Sequence, residues 1–102
     1  MPRTWKISID QVPGQSLAVF NPASLPVAVG DLIFWSNNTA DPHWPAPVGK
    51  PKDFWFDAEI PGKLPDQPAP ASSQISFASA GPPPVSYVCA LHPQMTGEIV
   101  VS

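Results

Sequence analysis

Between residues 4 and 12 the chain alternates, with Trp5, Ile7 and Ile9 on one face and Lys6, Ser8 and Asp10 on the other. A period of two is the pattern of a strand with one face in a core and the other in water. Pro13-Gly14 is a turn pair, and a second short strand is predicted over 16–20, closed by Asn21-Pro22. Residues 25–29 and 32–35 read as two further strands around a tight Gly30-Asp31 turn. Leu32, Ile33, Phe34 and Trp35 are all apolar, as expected of a central strand covered on both faces. Alternation returns at Phe54, Phe56 and Ala58 and again over 74–79, and the last predicted strands are 85–89 and 97–101. Nowhere do apolar residues recur at helical spacing.

Residues 39–52 hold several prolines, one histidine and no periodicity, which marks a long loop; loops of that length in compact domains are usually functional. Residues 61–71 are proline-rich and polar, a connection between layers. Seven to eight short strands separated by turn signals predict an all-β fold, a two-sheet β-sandwich with Greek-key wiring. The chain of 102 residues reads as one domain, 1–102. At that length roughly two-thirds of the unfolded surface can be buried, so one core needs no extra staple.

Composition sharpens the picture. Sixteen prolines stand where an average chain of this length carries about five. The proline ring removes an amide donor and clashes with the preceding turn, which excludes long helices. Hydrophobic residues make up 43% of the chain, with four tryptophans and five phenylalanines, so the prolines stiffen connections and do not mark disorder. A net charge of −3 offers no basic stripe for phosphates, which argues against nucleic acid and against an anionic membrane surface. No apolar run nears the roughly 20 residues of a membrane span, and the N-terminus lacks the apolar core of a signal peptide. A soluble monomer is expected. One cysteine excludes an internal disulfide.

The chemistry concentrates near the end of the chain. Cys89, His92 and Met95 are the only cysteine, one of two histidines and the only methionine after Met1, all within seven positions. Singly, each has a plainer reading: the cysteine as a small buried hydrophobe, the methionine as core filler, the histidine as an ordinary loop or core residue. Together, a thiolate, an imidazole and a thioether select copper, zinc or iron over magnesium or calcium. The other histidine, His43, lies in a Pro42-His43-Trp44-Pro45 turn and can supply a second imidazole from far away in sequence. Two histidines, one thiolate and a weak axial sulfur make the ligand set of a blue-copper electron-transfer site, with one copper ion per chain cycling between Cu(I) and Cu(II). Gln94 is a second candidate for the axial position beside Met95.

Four segments then have to be read together: Val27-Ala28-Val29-Gly30-Asp31-Leu32-Ile33-Phe34-Trp35; Asn37-Asn38 with Pro42-His43 following; Phe56-Asp57 to Ile60-Pro61; and Tyr87-Val88-Cys89-Ala90-Leu91-His92-Pro93-Gln94-Met95-Thr96-Gly97-Glu98-Ile99-Val100-Val101. They resemble the cupredoxins, amicyanin and plastocyanin most closely. The short Cys-x-x-His-x-x-Met spacing, with Pro93 directly after the histidine, is similar to amicyanin. The resemblance implies the cupredoxin Greek-key sandwich, one-electron carriage, and a periplasmic or otherwise exported location. It also implies His43, Cys89 and His92 as equatorial copper ligands and Met95 as the axial one.

Two departures carry expectations. After His43 the chain runs through Trp44-Pro45-Ala46-Pro47 and a longer detour to Phe54, which leaves the Trp44 amide to donate to the Cys89 sulfur. Leu91 stands where those relatives have proline, so a second backbone donor to the sulfur is expected, and with it a raised reduction potential.

The functional expectation is an electron carrier and not an enzyme. His92 lies between the last two predicted strands, so its outer ring edge is the expected electron port. Pro93, Gln94, Trp44 and Pro45 would surround it with an uncharged patch for brief docking of a redox partner protein. Two histidines are too few for a multicopper oxidase or a copper nitrite reductase, and one cysteine is too few for a binuclear centre. The alternative on the same fold is copper storage or delivery. A metal-free interaction module and a zinc hydrolase built on the same three residues are the other readings left open.

Overall fold

The computed structural model describes residues 2–48, 59–78, 80 and 84–102. Among them are seven strands and no helix: β1 (Thr4–Gln11), β2 (Ala18–Asn21), β3 (Ser24–Val27), β4 (Leu32–Asn37), β5 (Pro45–Pro47), β6 (Val85–Cys89) and β7 (His92–Val101). They form a three-stranded sheet in the order β2-β1-β4 and a four-stranded sheet in the order β3-β7-β6-β5. The all-β sandwich expected from the alternation is what the chain builds. No helix of the described residues is long and apolar enough to cross a membrane.

β1 shows how the pattern becomes a core. Ile7 and Ile9 are fully buried, while Lys6 on the opposite face is exposed. β1 runs parallel to β4, which sets Ile7 beside Trp35, and antiparallel to β2, which sets Ile9 beside Phe20. From the other sheet Tyr87 of β6 meets both aromatic partners edge-on. Its ring centroid lies 5.3 Å from that of Trp35 at 81° and 4.8 Å from that of Phe20 at 65°. Edge-to-face contact suits the ring quadrupoles and adds to the burial. Gly97 stands opposite Tyr87 in β7, and a Cβ there would run into the Tyr87 ring, so the glycine is what makes room for it.

β3 and β4 are consecutive in sequence yet lie in different sheets. Between them the Asp31 amide donates to the Ala28 carbonyl at 3.1 Å and Gly30 has a φ of 89°. That left-handed value is what a type II turn requires at its third residue. The turn therefore carries the chain from one layer to the other instead of closing a hairpin. Asp31 ties it to the start of β1: its carboxylate accepts from the amides of Arg3 at 2.9 Å and Ala28 at 3.0 Å and from the Trp5 indole at 2.9 Å. Those donors, the Arg3 amide first, hold its pKa down at about 2.

Several expected boundaries are corrected. β2 begins at Ala18 and not at Ser16. Of the strand expected over 74–79, the described residues keep one isolated bridge, Ile75 with Ile33, and Ala71 ahead of it bridges to Ser36. Between them the Trp35 amide donates to the Ser72 hydroxyl at 2.9 Å, so a side chain interrupts the backbone ladder. The loop expected over 39–52 contains β5, whose prolines still pair with β6 because an edge strand needs donors on one side only. β7 begins at His92 and not at Gly97. The strand expected at Phe54, Phe56 and Ala58 lies outside the described residues.

Candidate metal centre

Three pieces of backbone deliver the expected donors. Cys89 ends β6 and His92 begins β7, with only Ala90 and Leu91 between them, since the two residues pair across the ladder. The register jumps from the Val88–Thr96 pair to the Cys89–His92 pair, so residues 93–95 leave the ladder. Pro93, which has no amide to donate, sits in that unpaired stretch. His43 arrives from the far side of the sequence and is pinned by a bridge to Ile60: its amide donates to the Ile60 carbonyl at 3.1 Å and its carbonyl accepts from the Ile60 amide at 2.7 Å. Trp44 then clips the two regions together. Its amide donates to Cys89 Sγ at 3.3 Å and its carbonyl accepts from the Ala90 amide at 2.8 Å.

The outcome is a cluster of soft and borderline donors. His43 Nδ1 lies 3.7 Å and His92 Nδ1 3.6 Å from Cys89 Sγ, and the three donor atoms are all within 4.8 Å of one another. The imidazole centroids are 5.0 Å apart with the rings tilted by 49°. An ion about 2.3 Å from sulfur and about 2.0 Å from nitrogen, in a trigonal plane, needs a sulfur–nitrogen separation of about 3.7 Å. Both sulfur–nitrogen pairs thus stand at ligand spacing. Cys89 and His43 are buried and His92 is half-buried. Burial first, then the neighbouring His92, pushes the His43 pKa below the ordinary imidazole range against the opposing pull of Asp41. The neutral ring so favoured is the form that can ligate. Of the two axial candidates, Met95 is buried in the same core cluster as Cys89 and Gln94 is exposed.

No protein-family model matches the sequence, and no curated protein matches it. Solved structures do match. Amicyanin from Paracoccus versutus is similar with a TM-score of 0.70 at 19% identity, over 97% of this chain and 81% of that one. A purple cupredoxin from Nitrosopumilus maritimus is similar with a TM-score of 0.66 at 20% identity, over 95% of this chain and 98% of that one. A Cu(I) form of an amicyanin variant reaches 28% identity with a TM-score of 0.63, over 95% of this chain and 82% of that one. The chain is a cupredoxin by fold, with similarity to amicyanin.

On this fold the His43, Cys89 and His92 group fits a type 1 copper site in residue type and in its sulfur–nitrogen spacing. The surface around His92 differs from expectation at one place. Pro45 is fully buried, while Leu91, at 42% exposure, joins Trp44, at 38%, and the exposed Pro93 and Gln94. The Trp44 amide donates to the sulfur as expected. The donation expected from the Leu91 amide is not made among the described residues, so Trp44 alone supplies a backbone donor to the sulfur among them and the two-donor basis for a raised potential is absent.

Two residues of the site were passed over in the sequence. His43 Nε2 lies 3.0 Å from Thr39 Oγ1, and Thr39 Oγ1 donates to Asn37 Oδ1 at 2.8 Å. Both side chains are buried. Their trace in the sequence is the polar run Asn37-Asn38-Thr39 after an apolar strand, which reads only as the end of that strand.

Proposed function

We propose that this cupredoxin is a mononuclear type 1 copper protein that carries single electrons between redox partners and catalyses no reaction of its own. The observation that supports this reading is that His43 arrives from a remote part of the chain beside Cys89 and His92, with the three ligand atoms within 4.8 Å of one another and each Nδ1 at ligand spacing from the sulfur. His43, Cys89 and His92 would hold the ion, with Met95 as a weak axial donor. Copper in such a site supplies one-electron chemistry, alternating between Cu(I) and Cu(II).

The chain's own residues do the rest. The His43–Ile60 bridge and the Trp44–Ala90 bond fix the backbone on both sides of the site. Donors held in one arrangement need little rearrangement when the charge changes. The packing that buries His43 and Cys89 keeps bulk water off the sulfur. The Trp44 amide, pointed at that sulfur, draws charge from the thiolate and so favours the reduced state. His92 is the less buried histidine, and its outer edge is the proposed electron port. Exposed Trp44, Leu91, Pro93 and Gln94 carry no charge and suit short-lived docking of a partner at the small end of interface sizes. By resemblance to exported cupredoxins, a periplasmic or otherwise exported location is part of the proposal.

Adding Cu(II) to the metal-free protein should produce an intense visible sulfur-to-copper absorption band that saturates at one ion per chain and is abolished by Cys89→Ser. A colourless protein that takes up only Cu(I) points instead to copper storage or delivery. A Cys89 thiol that reacts equally with a thiol reagent with and without copper overturns the metal site altogether.

A further inference from the structure

We propose that Asn37 and Thr39 set the tautomer of His43, so that Nδ1 faces Cys89 as a bare lone pair before any metal arrives. The inference deepens the copper-site reading and rests on it only for its consequence in metal affinity.

Asn37 is fully buried and its side-chain amide is completely used. Nδ2 donates to the carbonyls of Asp41 at 2.8 Å and Pro61 at 3.0 Å. Oδ1 accepts from the Thr39 amide at 2.9 Å and the Thr39 hydroxyl at 2.8 Å. The reverse orientation would aim the amide hydrogens at an N–H and the oxygen at two carbonyls, so only one assignment is self-consistent.

The Thr39 hydroxyl has a single proton. Two of its neighbours, Asn37 Oδ1 at 2.8 Å and the Asp41 carbonyl at 3.0 Å, are acceptors with no hydrogen to offer. Given to Asn37 Oδ1, the proton bridges the closer of these two contacts and leaves a lone pair toward His43; given to His43 Nε2, it would leave the Thr39 oxygen bare against both oxygens. His43 Nε2, 3.0 Å from that oxygen, is therefore the protonated ring nitrogen, and Nδ1 is the bare one. Nδ1 is also the nitrogen 3.7 Å from Cys89 Sγ. The opposite tautomer would set a lone pair against a lone pair at Thr39 and a hydrogen where a ligand electron pair is needed.

The backbone holds the device in place. The Lys63 amide donates to the Thr39 carbonyl at 2.7 Å, and Gly62 packs so closely on the Ala40 backbone that a Cβ there would collide with the Ala40 carbonyl. Thr39 itself is a positioning residue that acts through His43. Such partners of ligating histidines orient the ring and raise its basicity.

Nitrogen-15 NMR of the metal-free, reduced protein reads the tautomer directly at a pH well above the imidazole range. Wild type and Thr39→Ser should show Nε2 protonated and Nδ1 bare on His43. Thr39→Val, which sets a methyl group against Nε2–H, should show a mixture containing Nδ1–H. Cu(I) affinity should fall by about 10- to 100-fold in Thr39→Val and stay within about threefold of wild type in Thr39→Ser. An Nδ1–H ring in wild type or in Thr39→Ser overturns the proposal without need of the valine variant. So does a folded Thr39→Val protein with an unmixed Nε2–H ring and undiminished affinity. If the tautomer follows the hydroxyl while none of the three proteins binds copper, the copper reading falls and the tautomer assignment stands.

Discussion

Asp31 carries a charge that three N–H groups have made structural. With the Arg3 and Ala28 amides and the Trp5 indole on its carboxylate, it titrates at about 2 in the folded chain, against about 3.9 in an unfolded one. The folded value is the lower, so its stabilisation is complete above about pH 4 and disappears as the pH falls through about 2. Asp31→Asn keeps the shape but turns amide hydrogens against at least one of those donors. The expected result is a lower urea midpoint at neutral pH, with the gap to wild type closing between about pH 4 and about pH 2. A gap of constant size across that range would mean that shape alone explains the residue. The Gly30-Asp31 turn could be read in the sequence because turn chemistry is local. Two of the three donors could not, because Arg3 and Trp5 are 28 and 26 positions away.

Among the elements, β6 and β7 carry the most. They bring Cys89 and His92 together through a two-residue connection, and they hold Tyr87 against Trp35 and Phe20 of the facing sheet. Gly97 is the weak point of that arrangement. Gly97→Ala would push a methyl group into the Tyr87 ring, and overpacking of this kind typically destabilises by about 1–3 kcal/mol. Urea unfolding of the variant should show that loss; one under about 0.5 kcal/mol, the level of an ordinary surface substitution, would mean that the ring moves aside freely. Alternation located the strand well where the ladders are regular, as in β1. It failed where a side chain or a missing amide broke the ladder: Ser72 replaces a backbone partner opposite Trp35, and residues 93–95 leave the register beside Pro93. Periodicity records which face is buried and says nothing about which amide finds which carbonyl.

For the whole molecule, the proposed copper ties the segment before β5 to the β6–β7 connection, and a metal held by His43, Cys89 and His92 binds the folded chain far better than an unfolded one. At free metal 100 times its dissociation constant the linkage amounts to about 2.7 kcal/mol. For a domain of this size that corresponds to a rise in melting temperature of roughly 10–20 °C. Wild type should show it by calorimetry and Cys89→Ser should lose most of it. Equal rises in both proteins would place the bound copper elsewhere.

The sequence alone determined that the chain is all-β, and that one thiolate, one imidazole and one thioether fall within a few residues at its end. Both are short-range properties, set by the period of the strand and by spacing along the backbone. Only the tertiary structure decided that His43 reaches a sulfur 46 positions away and that Trp44, and not Leu91, donates to it. It alone showed Thr39 and Asn37 behind the His43 ring. Contacts of that kind depend on how two sheets pack and where their loops meet, and no local pattern of residues encodes a position in space.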